Sequence, residues 1–130
     1  MPHLPITMIT AGACGLLFIV LAIRVVQMRA TGHPMGDGGN PDMFTRIRSH
    51  ANFAEYVPMA LILMALLEAD GGSVLWLKIA GVALVIMRVF HAIGMPMKAP
   101  NFFRASGALG TFLLIVGLSI YVIILATTNY

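Results

Sequence analysis

Uncharged apolar runs divide this chain into segments. Residues 4–23 run for twenty positions without a charge, and residues 105–130 for twenty-six. Either can cross a hydrocarbon core about 30 Å thick, for which about 20 apolar residues suffice. Two further runs are shorter, with twelve uncharged residues at 56–67 and nine at 79–87. They span a bilayer only by carrying polar neighbours into it: Arg48, Asn52 and Glu55 for one, Lys78, Arg88 and His91 for the other. The turn signals agree with four helices. Residues 32–41 are a glycine- and proline-rich loop. Asn40 before Pro41 reads as an N-cap and first helical residue. Gly71-Gly72 stops the second helix and Ser73 can cap the third; Gly94, Pro96 and Pro100 stop the third and Asn101 can cap the fourth. The pattern predicts helices at about 5–30, 41–70, 73–94 and 101–128. They form one domain over residues 1–130, an all-α integral membrane four-helix bundle.

Composition narrows the class further. The chain is 59% hydrophobic and only 10% charged, against about 45–50% and roughly a quarter in soluble domains. This excludes an ordinary soluble globule, a disordered tail and a nucleic-acid module. A single cysteine, Cys14, excludes an intrachain disulfide. The first apolar run is not expected to be a signal peptide, because it lacks a basic start and a small-residue cleavage site. The net charge of +3 bears on orientation. Arg24, Arg29, Arg46 and Arg48 flank the first loop, and Arg88, Lys98 and Arg104 the third. Only Lys78 lies on the other side, so the bias is seven to one. The positive-inside rule places both of these loops in the cytoplasm and both termini opposite.

The polar residues within the spans carry the functional signal. Arg48, Asn52 and Glu55 fall within about 60° of one another on a helix, a single stripe. A charge at the centre of a span costs at least about 2.5–3.5 kcal/mol, so such groups face a bundle interior or a polar cavity. Arg88 and His91 share a face of the third helix. Arg104 opens the fourth, where a cation opposes the helix dipole unless an anion sits there. Three Arg, one Glu, one Asn and one His suit a small zwitterion with several carboxylates and an amine. Arg48 to Glu55 spans about 10 Å along a helix, near the length of an extended tripeptide. The competing reading is that Arg48, Glu55 and Arg88 form ion pairs that only specify packing.

The segment Arg48-Ser49-His50-Ala51-Asn52-Phe53-Ala54-Glu55-Tyr56-Val57-Pro58 resembles the helix 2 signature of the MAPEG family, the membrane-associated proteins in eicosanoid and glutathione metabolism. Arg88-Val89-Phe90-His91 is similar to the family's third-helix motif, and Arg104 to the arginine that opens its fourth helix. The loop Gly36-Asp37-Gly38-Gly39-Asn40 and the short length resemble a small bacterial branch, in the inner membrane. The resemblance covers essentially the whole chain. It implies a homotrimer with glutathione, as co-substrate, at each subunit interface and open to the cytoplasm. Arg48, Asn52, Glu55, Tyr56, Arg88 and His91 would hold the tripeptide. His50 and Arg29 would reach a neighbouring subunit's site, with Arg24 the competing choice for Arg29. Arg104 would stabilise the glutathione thiolate as the catalytic group.

The implied activity is a glutathione transferase, or a peroxidase, acting in detoxification on a hydrophobic small molecule or lipid hydroperoxide. Met95 stands where some members have a tyrosine, and Ala105 where the prostaglandin isomerases have a serine. This points away from a specialised isomerase. Two other functions compete: a non-catalytic lipid-binding scaffold of the same fold, and a small proton-coupled transporter using Glu55 and His91. No broken helix pair or inverted repeat supports the transporter.

The remaining residues have structural readings. Pro58 is expected to kink the second helix. Cys14 lies among Ala11, Gly12, Ala13 and Gly15, a stretch expected to pack closely. Trp76 and Tyr130 read as interfacial aromatics. His3 and His33 are isolated, and no ligand spacing for a metal is evident.

Overall fold

The computed structural model describes residues 3–32 and 35–128; His33 and Tyr130 lie outside the described residues. Four helices follow in order: α1 Pro5–Ala30, α2 Pro41–Ala69, α3 Val74–Gly94 and α4 Phe102–Thr128. Each is long and apolar enough to cross a membrane. Large apolar side chains lie outside the bundle on every helix, among them Ile9, Ile62, Val82 and Ile123. A helix that is apolar all round needs an apolar surround.

The helix ends show which local signals act. Asn40 caps α2, its Oδ1 accepting from the N–H groups of Asp42 and Met43 at 2.9 and 3.1 Å. Asn101 caps α4, its Oδ1 accepting from Arg104 N–H at 2.9 Å. Its Nδ2 donates back to the Gly94 carbonyl at 3.0 Å, so one side chain ties the end of α3 to the start of α4. Gly71 closes α2 at φ 77°, a conformation that favours glycine. Ser73 departs from expectation, because its side chain makes no capping bond. Its backbone N–H instead donates to the Tyr121 hydroxyl at 2.9 Å. The start of α1 has no cap from its own Leu4. Glu68, near the end of α2, supplies one: Oε1 accepts from Ile6 N–H and Oε2 from Thr7 N–H, both at 2.8 Å. At the opposite end of α1, Arg46 Nη1 donates to the Arg24 carbonyl at 2.9 Å.

The core lies among α1, α2 and α3, with Leu118 of α4 joining it. Cys14 and Leu21 from α1 meet Phe53, Val57, Ala60, Met64 and Leu67 from α2 and Leu77, Ala80 and Leu84 from α3. Among the described residues, no Cα of α1 comes within 8 Å of one of α4. Pro58 sits inside α2 without ending it; lacking an N–H, it leaves the Ala54 carbonyl without its usual helical donor. The closest helix approach is α3 against α4. A Cβ on Gly94 would collide with the backbone of Arg104, and one on Gly107 with that of His91. The small residues of α1 behave differently. A Cβ on Gly12 or Gly15 would meet nothing within 4 Å, so within one chain their face is open rather than closely packed.

Candidate functional site

The start of α2, the end of α3 and the start of α4 meet at one end of the bundle. Between them lies a cleft of about 260 Å³ lined by Phe44, Thr45, Arg48, Asn52, His91, Met95 and Arg104. Three local features build it. The Asn40 cap starts the helical register that puts Phe44, Arg48 and Asn52 on one stripe of α2. The tie from Asn101 to Gly94 sets Arg104 beside the end of α3. Gly107 lets the α4 backbone approach that of His91.

The charges in this region are unevenly balanced. Arg48 pairs with Glu55 at 3.7 Å, both about half exposed at 46% and 48%. An exposed pair of this kind contributes little to stability and leaves both groups within reach of a ligand. Arg104 is exposed at the mouth. Arg88 is the opposite case, 1% exposed. Its Nη2 donates to Asn52 Oδ1 at 2.8 Å, and its guanidinium carbon lies 5.8 Å from the centre of the Phe53 ring. Its Nε and Nη1, the Nδ1 of His91 and the Oγ of Ser49 are buried without a hydrogen-bond partner among the described residues. Glu55, the carboxylate on the same stripe of α2, is turned to Arg48 and not to Arg88.

The cleft thus brings together Arg48, Asn52, His91 and Arg104 of the sequence-derived set. Glu55 joins through its ion pair with Arg48. Tyr56 lies outside the lining and packs on Phe112 of α4, with ring centres 5.0 Å apart. Arg88 also lies outside it, one layer behind Asn52. His50 stacks on Phe18 of α1 at 4.5 Å, and Arg29 is exposed near the end of α1; neither lines the cleft of its own chain. Phe44 and Thr45 are lining residues that charge alone does not reveal. Their spacing does, for they stand four and three positions before Arg48 and so continue its stripe by one turn.

A second, apolar groove of about 650 Å³ runs between α3 and α4 at the other end of the bundle, with Trp76, Ile79, Leu113, Gly117 and Tyr121 in its walls.

Comparison with known proteins places this fold and cleft in context. The chain is 34% identical over 80 residues to the inner membrane protein YecN of Escherichia coli strain K12. It is equally similar to the protein of the same name from Escherichia coli O6:H1. The aligned segment spans 61% of this chain and 61% of each relative. No solved structure matches. Residues 7–124 match the MAPEG family, a match that reaches into all four helices and covers every residue of the cleft, and the chain therefore belongs to the MAPEG family.

Proposed function

We propose that this membrane protein is a glutathione-dependent transferase, with reduction of lipid hydroperoxides as its related activity. It works as a homotrimer in a bacterial inner membrane. The loops at the cleft end face the cytoplasm and both termini lie opposite. The observation that carries this reading is the convergence of Arg48, Asn52, His91 and Arg104 from three helices on one cleft. Cationic and neutral donors outnumber the single carboxylate of Glu55 there. Such a donor set fits a ligand with two carboxylates, an amine and amide groups. The His91 Nδ1, buried without a hydrogen-bond partner among the described residues, adds one more polar group on the α3 side.

Arg48 and Asn52 would hold carboxylate and amide oxygens, and Glu55 an ammonium or amide N–H. His91 would add a donor or acceptor from α3, and Tyr56 and Arg88 would support the cleft wall. From a neighbouring subunit, His50 and Arg29 would complete the site. Arg104 adds a cation to the first turn of α4, where the helix dipole is positive as well. Together they favour a thiolate over a thiol, whose pKa in free cysteine is about 8.5. The chemistry that bound glutathione supplies is a sulfur nucleophile that forms a C–S bond to a lipophilic electrophile as the leaving group departs.

Thermal stability in detergent against glutathione concentration tests the reading, with S-methylglutathione and Arg48→Ala as controls. A saturable rise in melting temperature that is lost in Arg48→Ala is expected. No rise at millimolar glutathione in folded, trimeric protein would overturn it. The second reading, a non-catalytic lipid-binding scaffold, is favoured by the large apolar groove between α3 and α4. It predicts stabilisation by lipids and none by glutathione.

A further inference from the structure

Arg88 and Asn52 have different relationships to the cleft. Asn52 lines it. Arg88 does not, and is 1% exposed. Among the described residues, its guanidinium donates to one side chain, from Nη2 to Asn52 Oδ1 at 2.8 Å. A guanidinium carries five N–H donors and no acceptor. The Asn52 atom that faces it must therefore be the carbonyl oxygen, and the amide cannot flip without setting donor against donor. The Nδ2 group is left on the other side, with its two N–H donors available to the cleft. The Phe53 ring, 5.8 Å from the guanidinium carbon, packs against the cation within the range of a cation–π contact and holds it from behind.

We propose that Arg88 is a positioning residue. It does not touch the ligand. It fixes the Asn52 amide so that its N–H donors meet the cleft, and the ligand group they select is an oxygen acceptor, a carboxylate or an amide carbonyl. The proposal rests on the glutathione reading for the identity of the ligand alone.

The test is a double-mutant cycle on glutathione affinity, measured by calorimetry in detergent with Asn52→Ala, Arg88→Met and the double variant. Each single change should weaken binding by about tenfold, the worth of one good hydrogen bond. The double variant should bind no more weakly than Asn52→Ala alone, because Arg88 acts through Asn52. Losses that multiply to about a hundredfold would mean that Arg88 reaches the ligand itself, and would overturn the proposal. Asn52→Asp guards against variants that fail to fold. It keeps an acceptor toward Arg88 but removes the donors, so the melting temperature should hold or rise while glutathione affinity falls. Unchanged affinity in Asn52→Asp would overturn the proposal.

If the wild-type protein does not bind glutathione, the functional reading falls, and the positioning role is decided separately on ligand-free protein. The Asn52 side-chain amide signals in a 15N spectrum, identified by their loss in Asn52→Asp, should move in Arg88→Met and stay closer to wild type in Arg88→Lys. Signals unmoved in Arg88→Met would overturn it.

Discussion

Gly107 lies against the backbone of His91: a side-chain carbon there would come within 2.5 Å of the His91 nitrogen and 2.6 Å of the Met87 carbonyl oxygen. Neither backbone atom can turn away as a side chain would. Gly107→Ala should therefore part α3 from α4 and destabilise the protein by about 1–3 kcal/mol, as overpacking does. Gly117→Ala is the control, since nothing lies within 4 Å of that position. It should be neutral or stabilising by up to about 1 kcal/mol through helix propensity. Thermal unfolding in detergent checks both. Equal melting temperatures in the two variants would show that the close approach is not required.

The proposed roles of the arginines separate in kinetics. Arg104→Ala should lower turnover more than glutathione affinity, because the role proposed for it is on the thiolate. Arg48→Ala and Glu55→Ala should mainly weaken binding. Steady-state rates with a lipophilic electrophile, alongside glutathione affinities, decide this. Wild-type activity in all three variants would refute the assignment.

Glu68 should matter more than its place near the end of α2 implies. It accepts from two helix-start N–H groups of α1 that have no other cap. Glu68→Ala should cost about 1–2 kcal/mol, the range of a lost cap. Glu68→Gln should lie between, since one carbonyl oxygen can serve one of the two donors. Chemical denaturation in detergent reads the order, and a Glu68→Ala protein as stable as wild type would contradict it.

Orientation can be tested by thiol labelling in a Cys14→Ala background, starting from a thiol that is buried. His3→Cys should react with a membrane-impermeant maleimide from outside the cell. Met35→Cys and Met97→Cys should react only in inverted vesicles. The reverse pattern would invert the proposed topology.

Much of the fold was legible because its signals are local. The capping bonds of Asn40 and Asn101 stay within three residues, so reading along the chain finds them. Glu68 was not legible as a cap, because its partners lie 62 and 61 positions away. Ser73 misled for a related reason: serine suits a cap, but its backbone N–H found the Tyr121 hydroxyl. The small residues of α1 signalled close packing, yet the tight approach of α3 and α4 involves Gly94, which reads along the chain as a helix stop, and Gly107. At the candidate site, the stripe of Arg48 and Asn52 followed from helical spacing. The burial of Arg88 did not, because sharing a face with His91 says nothing about depth.

Two clasps from α2 hold α1, one near each end. Glu68 grips the backbone at Ile6 and Thr7, and Arg46 grips it at Arg24. From Ile6 to Arg24 the helix rises about 27 Å. A rod pinned at two points so far apart can neither slide along its partner nor roll about its own axis. The open face of Gly12 and Gly15, and the exposed Arg29 beyond, are thus set at a fixed angle before any second chain arrives. In a homotrimer, assembly would dock ready-made surfaces and would not first have to immobilise a loose helix.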